Sequence, residues 1–195
     1  MAVSVVWGPA LKADYQRLWD GCKITPGCEK YADEAVKMIV KGKARYESIA
    51  KQVGCPWWVV GLIHKMEAGC RFDRHQHNGD PLTAKTTHVP AGRPSTGLPP
   101  FTWEQSALDA CKMKGFDKEK DWSIARILFI CEGFNGYGYR QYHPTVMTPY
   151  LWAFTNQYTK GKYIADGKWD ANCVSKQLGI AAILKHGFKT GAFTA

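Results

Sequence analysis

The sequence predicts a mainly α-helical (α+β) fold with a small β-hairpin region between helices, and three observations lead to it. Apolar residues recur at helical spacing in several segments of the chain. Between Arg71 and Pro100 the composition shifts to Gly, Pro, Ser and Thr, which favour turns and short strands. A chain of 195 residues with 45% hydrophobic content can bury one ordinary core. We therefore expect residues 1–195 to form a single domain.

The first third of the chain contains three predicted helices. A short helix is expected over Leu11–Trp19. A long amphipathic helix follows over Tyr31–Val53, and Gly54 ends it. The next helix begins near Pro56, a residue that suits a first turn, and stops at Gly69.

The rest of the chain alternates irregular segments with helices. The Asn78-Gly79 pair is typical of a tight turn. Residues that suit short strands follow it: Thr83, Thr86, Thr87 and Val89. Further helices are predicted over three ranges: Thr102–Met113, with Thr102 as N-cap, Trp122–Phe134 and Val174–Lys185. Two ranges are predicted to be rich in loops and turns: Pro90–Pro100 and Tyr137–Lys168.

The charge of the chain favours an anionic partner, because the net charge is +9 and the sequence pI is about 9.2. Nucleic acid, an anionic membrane and an anionic cell-wall polymer all fit that charge. No helix-turn-helix or zinc-finger spacing is present, so we expect no specific nucleic-acid partner. We also expect a monomer.

The N-terminal sequence lacks the basic start and long apolar core of a signal peptide, and no apolar run approaches the roughly 20 residues of a membrane span. We therefore expect synthesis in a cytoplasm, with action elsewhere after release. Seven cysteines without a C-x-x-C pair favour reduced thiols. A local disulfide between Cys22 and Cys28 is the alternative if the protein enters an oxidising compartment.

Glu67 is the residue that the sequence singles out for chemistry. It lies near the end of the largely apolar segment Pro56–Gly69, on one helical stripe with Val60, Ile63 and His64. Burial raises the pKa of a carboxylic acid, and so does the negative end of a helix dipole. A raised pKa suits a general acid that gives up its proton near neutral pH.

Asp80 and Thr86 complete the candidate catalytic group. Asp80 follows the tight turn, so its surroundings are expected to differ from those of Glu67 and to separate the two pKa values. An acid and a base separated in this way can cleave a glycosidic bond. Thr86 lies six residues after Asp80 and is a candidate for positioning a water molecule.

His75 and His77, with Asp73 and Asp80 nearby, have the residue types of a zinc site. However, the aspartate is offset from the spacing of the H-x-H-x-D-H run found in some metallohydrolases. We therefore expect no metal and no organic cofactor. Both histidines are expected either to line a cleft or to form local hydrogen bonds.

The segment Glu67–Asp73 (EAGCRFD) resembles the E-S-G-F motif of lysozyme-like muramidases and lytic transglycosylases. Asp80 stands 80 − 67 = 13 positions after Glu67, which is similar to the separation in goose-type lysozymes. The segment Gly133–Gly138 resembles the A-Y-N-x-G motif that lines the sugar cleft of the same superfamily. Segments 148–152 and 161–167 look like parts of phage endolysins.

The resemblance implies a lysozyme-like fold and a muramidase that cleaves the β-1,4 bond between N-acetylmuramic acid and N-acetylglucosamine. Glu67 is then the general acid, and Asp80 assists it. Ala68 stands where the motif has Ser, and the G-L-M-Q motif of lytic transglycosylases is absent, which favours hydrolysis. A lytic transglycosylase, a chitinase-like glycosidase and a non-catalytic, basic cell-wall-binding module stay open as alternatives.

The expected substrate is bacterial peptidoglycan, reached in the periplasm or cell wall, as in host lysis by a phage. Anionic cell-wall polymers or an outer-membrane surface are expected further partners. Aromatic faces beside amide groups suit sugar rings, and the aromatic stretch after Gly133 has many of both. The predicted substrate-binding residues are Asn135, Tyr137, Tyr139, Trp152 and His77.

Overall fold

The structure is a computed structural model that describes residues 5–194, and over that range it is mainly helical with one small antiparallel sheet. The prediction of a mainly helical α+β fold is confirmed at this level. The elements in chain order are α1 (Pro9–Asp20), α2 (Glu29–Lys41), α3 (Lys43–Val53), α4 (Trp57–Ala68), α5 (Trp103–Met113), a short 3-10 turn (Phe116–Lys118), α6 (Ile124–Asn135), α7 (Gly138–Tyr142), α8 (Pro149–Trp152), β1 (Lys162–Ala165), β2 (Lys168–Asp170) and α9 (Ile180–Lys189).

The chain folds into two compact units. One is continuous and spans residues 37–122, and the other combines residues 5–36 with residues 123–194. We call them the inner unit and the outer unit, after their positions in the chain. The boundary falls within α2, between Val36 and Lys37. The prediction of a single domain over 1–195 stays a prediction, and residues 1–4 and 195 of that range lie outside the described residues.

An aromatic cluster forms the centre of the inner unit. The rings of Tyr46 on α3, His64 on α4 and Trp103 on α5 are buried and meet that of Phe72, with ring centroids 4.8 to 5.7 Å apart. α3 therefore packs against both α4 and α5. Arg45 covers the edge of the cluster, since its guanidinium lies 4.0 Å from the Phe72 ring centroid and pairs with Glu104.

The prediction of one long helix over Tyr31–Val53 is wrong in one respect, because the helix breaks at Gly42 and forms α2 and α3. The ring of Tyr46 occupies the space beside Gly42, where a Cβ atom would come within 2.6 Å of it. Gly61, in the middle of α4, also leaves room for neighbouring side chains. A Cβ there would lie 2.5 Å from Ile39 and 3.1 Å from Tyr46, so glycine lets α4 approach both side chains.

The predicted hairpin between Arg71 and Pro100 is also wrong, since this fully described segment contains only an isolated bridge between Arg74 and Pro81. Its backbone N–H groups bond within the loop instead of forming a ladder. Those of Thr87 and His88 donate to the Asp80 carboxylate, and that of Arg93 donates to the Thr86 hydroxyl. Thr102 caps α5 as predicted, with a reciprocal pair of bonds to Gln105.

In the outer unit, α6 packs against α1, α8 and α9. Strand β1 lies in the range predicted to be turn-rich, and β2 begins at the last residue of that range, Lys168. Tyr163 faces Trp169 in the register of the sheet. The Asp166-Gly167 pair between the two strands is a hairpin signal that could have located it. The last helix begins at Ile180, later than the predicted Val174, because the preceding loop is tied to Tyr158 through the backbone of Ser175.

No disulfide joins the seven cysteines, all of which lie in the described range, and Cys22 and Cys28 are therefore not bonded to each other. Within residues 5–194, no helix combines the length and the apolar character needed to cross a membrane.

We expect Gly61→Ala to lower the free energy of unfolding by about 1–3 kcal/mol, because the added methyl group overpacks the contact with Ile39 and Tyr46. The gain in helix propensity, about 1 kcal/mol, offsets part of this loss. Urea unfolding measures the change. Gly8→Ala is the control, since no other atom lies within 4 Å of that added Cβ. An equal midpoint for both variants would contradict the close approach at Gly61.

Candidate functional site

Glu67 lies half-buried in the last turn of α4, a helix whose residues from Trp58 to His64 are all buried. The helix ends because Gly69 and Cys70 both have left-handed backbone with φ of 61°. Their N–H groups donate to the carbonyls of Lys65 and His64, at 3.2 Å each. This conformation is costly for a residue with a side chain, so the turn after Glu67 holds some strain at Cys70.

His64 fixes the end of α4 through both ring nitrogens. Tyr46 donates to Nδ1 at 2.8 Å, and Nε2–H donates to the Arg71 carbonyl at 3.1 Å. Burial lowers the pKa of His64 to about 4, so the ring is neutral at pH 7. The imidazole therefore connects α3 to the segment that follows Glu67.

Gly79 brings the predicted tight turn against Glu67. A Cβ on Gly79 would lie 2.6 Å from the Glu67 carbonyl oxygen, and Gly79 has φ of 77°. Both facts require glycine at this position. Gln76 adds a second attachment, since its side-chain amide donates to the Val60 carbonyl of α4 at 3.1 Å. The turn that carries Asp80 is thus held at the end of the helix that carries Glu67.

The Asp80 carboxylate accepts several hydrogen bonds from the loop that follows it. Oδ2 accepts from the backbone N–H groups of Thr87 and His88 at 2.8 and 3.0 Å, and Oδ1 accepts from His88 Nδ1 at 2.6 Å. Burial acts to raise the pKa of Asp80, but the bonds from His88 and Thr87 outweigh it and hold the pKa well below its usual range. Asp80 is therefore ionised at neutral pH and poorly suited to take up a proton.

Thr86 uses its hydroxyl group within its own loop. The hydroxyl donates to the Pro90 carbonyl and accepts from the Arg93 N–H at 2.9 Å, and the side chain is buried. The predicted role of Thr86 in positioning water stays a prediction. The bonds show that Thr86 shapes the loop that also supplies the donors to Asp80.

His75 and His77 form local hydrogen bonds, which is one of the two alternatives predicted for them. Ser106 Oγ on α5 lies 2.8 Å from His75 Nδ1 and 3.2 Å from His77 Nδ1. His75 Nε2–H donates to the Ala84 carbonyl, and His77 Nε2 lies 2.8 Å from the Asp109 carboxylate. The His77 side chain has no exposed surface, so it is not placed for direct contact with a substrate.

Nowhere in the described chain do three or more His, Cys, Asp or Glu side chains form a group that could hold a metal ion. All four ring nitrogens of His75 and His77 lie within hydrogen-bonding distance of groups of the protein.

Lys114 is a member of the site that the sequence analysis missed. Desolvation lowers the pKa of Lys114, and Glu67 acts in the opposite direction. Lys114 directly follows α5, far from Glu67 in the chain, so no sequence pattern pointed to the pair.

An open cavity of about 570 Å³ beside α5, between Arg93 and Lys112, includes neither Glu67 nor Asp80 in its lining.

The outer unit contains an open groove of about 570 Å³ with two of the predicted substrate-binding residues, Asn135 and Tyr139. Tyr142, Tyr163 and the Asp166-Gly167 turn also line the groove. Tyr142 is 61% exposed, whereas Tyr139 is mostly buried. Aromatic faces beside an amide and a carboxylate are the chemistry that binds carbohydrate rings.

Tyr137 and Trp152 are not part of this groove. The Tyr137 ring stacks on Phe129 at 5.0 Å, and its hydroxyl donates to the Phe129 carbonyl. Trp152 is fully buried and lines a separate, smaller cavity. Their predicted contact with a substrate stays a prediction, and neither ring is an exposed sugar platform.

The chain was compared with known proteins in three ways. It matches no protein-family model, no curated protein and no solved structure at a significant level.

We expect the folded state to lose stability as the pH falls from about 6.5 to about 4, because His64 and His77 each have a pKa lowered to about 4 from an ordinary value of 6.5. In this window the unfolded chain takes up protons that the folded chain does not. His64 alone contributes up to about 3 kcal/mol, at about 1.4 kcal/mol per pKa unit. Urea unfolding at pH 7.5 and 4.5 measures the loss. The free energy of unfolding is expected to depend less on pH in His64→Phe. An unchanged pH dependence would contradict the lowered pKa of His64.

Gly79→Ala is expected to destabilise the inner unit more than Gly92→Ala. Both positions have positive φ, near 77°, so both variants carry the backbone cost. Only Gly79 also faces a backbone oxygen, that of Glu67, while nothing lies within 4 Å of the added Cβ at Gly92. Comparing the two denaturation midpoints isolates the contact. Equal losses would show that the turn does not press against α4.

Proposed function

We propose that the protein is a peptidoglycan hydrolase, a muramidase that cleaves the β-1,4 bond between N-acetylmuramic acid and N-acetylglucosamine. The observation that supports this best is the contact of Gly79 with the Glu67 carbonyl, which holds an acidic turn at the end of a buried helix. Two carboxyl groups in unlike surroundings are the chemical requirement for glycosidic cleavage. The resemblance of the Glu67 segment to lysozyme-like enzymes supports the same reaction, and a lysozyme-like fold is part of the proposal.

In this mechanism Glu67 donates its proton to the glycosidic oxygen, and positive charge develops on the sugar ring. Asp80 stabilises that charge, because its carboxylate is held ionised by the Thr87 and His88 donors. A role as the base that activates water suits Asp80 less well, since a carboxylate with a strongly lowered pKa is a weak base.

The open groove of the outer unit is the proposed site for sugar rings of the glycan. Tyr142 offers an exposed ring face, and Asn135 offers an amide to sugar hydroxyl or acetamido groups. The net charge of +9 favours the anionic wall or outer-membrane surface in which the substrate lies. Lysis of a bacterial host by a phage is the setting that we propose, with action in the periplasm or cell wall.

Three alternatives predict different products. A lytic transglycosylase leaves a 1,6-anhydro end on muramic acid, and a chitinase-like enzyme cleaves soluble chitin oligomers at a comparable rate. A basic binding module releases no sugar ends, and its binding to cell walls weakens with added salt. Mass spectrometry of the fragments released from purified peptidoglycan separates these cases.

Glu67→Gln is expected to lower the rate at which reducing ends are released from purified peptidoglycan by a factor of about 100 or more, because the proton donor is lost. The melting temperature is expected to change little, since the substitution keeps the shape of the side chain. Reducing-end assays and thermal unfolding measure the two quantities.

Glu47→Gln is the matched control, because Glu47 lies partly exposed on α3 of the same unit and forms a 3.7 Å surface pair with Lys43. This variant should keep full activity and stability. Undiminished activity in Glu67→Gln would remove Glu67 from the mechanism and the muramidase proposal with it.

A further inference from the structure

The proposed cleavage needs a base that takes a proton from the attacking water. Asp80 suits that task poorly, since its carboxylate is held ionised by hydrogen bonds and its pKa lies well below the usual range. The Thr86 hydroxyl is bonded within its own loop, to the backbone of Pro90 and Arg93. The same loop carries one further group that can accept a proton, the imidazole of His88.

His88 differs from the other histidines of the inner unit in its exposure. The rings of His64, His75 and His77 are buried, and both nitrogens of each lie within hydrogen-bonding distance of a group of the protein. The side chain of His88 is 81% exposed. Its Nδ1 is bonded to the protein, whereas among residues 5–194 no group bonds to its Nε2. A ring held at one nitrogen and open to solvent at the other can exchange a proton with water.

The Asp80 carboxylate fixes the ring of His88. Nδ1 lies 2.6 Å from Oδ1, and the backbone N–H of the same histidine donates to Oδ2 at 3.0 Å. Because an ionised carboxylate only accepts, Nδ1 carries a proton, and Nε2 has a free lone pair when the ring is neutral. The negative charge of Asp80 also favours the positive charge that the ring gains on taking up a second proton. A carboxylate that orients an imidazole in this way makes the ring an effective general base.

The hydrogen bonds of His88 place it on the turn that meets Glu67. The Asn78 amide donates to the His88 carbonyl at 3.0 Å, and Asp80 holds the ring. These two partners flank Gly79, the residue packed against the Glu67 carbonyl oxygen. A short series of contacts within the inner unit therefore joins the candidate acid to the imidazole.

We propose that His88 is the general base of the cleavage reaction and that Asp80 positions it. Nε2 takes a proton from water, the water oxygen bonds to the anomeric carbon, and the bond from that carbon to the glycosidic oxygen breaks. Glu67 gives its proton to the leaving oxygen. Solvent then removes the proton from His88 and returns one to Glu67. This role rests on the muramidase function proposed above, whereas the pairing of Asp80 with His88 is a contact of the structure.

Nuclear magnetic resonance of the ¹⁵N-labelled full-length protein tests the state of the ring, because a ring nitrogen changes its chemical shift when it is protonated. The His88 signals are those that disappear in His88→Asn. At about pH 8 they are expected to show a protonated Nδ1 and an unprotonated Nε2. A proton on Nε2 at that pH overturns the proposal, because a protonated nitrogen cannot act as a base.

His88→Asn is the decisive variant, because the asparagine amide keeps an N–H group near the place of Nδ1 but offers no base. We expect kcat on solubilised peptidoglycan strands to fall by about 100-fold or more, with KM and the melting temperature nearly unchanged. A residue that only shaped the loop would keep its activity in this variant, since the bond to Asp80 can still form. Activity close to that of the unchanged protein would overturn the proposal.

Val89→Ala is the matched control. Val89 directly follows His88 in the same loop, and it is 89% exposed. This variant should cleave at the rate of the unchanged protein. An equal loss in Val89→Ala and His88→Asn would mean that any change in this loop slows cleavage, and it would remove the assignment to the imidazole.

The configuration of the released reducing end is an independent measurement. A base that directs water to the face opposite the leaving group inverts the anomeric carbon, so a β-1,4 bond first yields an α reducing end. Proton magnetic resonance of the fresh product distinguishes the two anomers before they interconvert. A β reducing end would mean that configuration is retained, which needs no separate base, and would overturn the role of His88.

These measurements separate the two proposals. If the unchanged protein releases reducing ends, Glu67→Gln does not, and His88→Asn is fully active, the base is wrong and the muramidase assignment stands. If the unchanged protein releases no sugar ends, the muramidase assignment fails and the role of His88 as a base fails with it. The ring signals then still decide whether Asp80 holds the imidazole.

Discussion

The buried imidazole of His64 is the interaction on which the inner unit depends. It contacts Tyr46 of α3 and Trp103 of α5, and it bonds to the chain just after α4 at Arg71. Because the ring is polar and buried, each lost partner would leave an unpaired atom at a cost of about 1–3 kcal/mol. The position of the helix end that carries Glu67 is therefore set by hydrogen bonds in addition to apolar packing.

The segment from Arg71 to Pro100 is ordered by polar side chains. Ser106 and Asp109 of α5 hold the histidines, and Asp109 also accepts from Arg93 and Ser95. Asp80 performs the same task for the Thr87 and His88 backbone. Short side chains that accept backbone N–H groups compete with strand formation. This competition explains why a composition typical of short strands forms a compact loop in this protein.

Much of the helical fold could be predicted from the sequence, because apolar spacing and helix stops such as Gly54 and Gly69 are local signals. The break at Gly42 was not predicted, although a glycine within a helical pattern weakens the helix; the ring of Tyr46 fills the space that a side chain there would need. Glu67 stood out as an acid in an apolar helix, and the tight turn before Asp80 was visible. The attraction between Lys114 and Glu67 joins residues far apart in the chain, and the contact of Gly79 with Glu67 depends on how the loop folds back, so no local pattern contains either.

The division of the chain has a consequence for the order in which the protein folds during synthesis. The inner unit is continuous, so all of its residues are synthesised before α6. The outer unit requires pairs such as Tyr15 and Glu132, which are 117 positions apart. Contacts of such long range form slowly, because a large loop must close first. The first helix must therefore wait for its partner, and during that time its apolar face is open to chaperones or to aggregation.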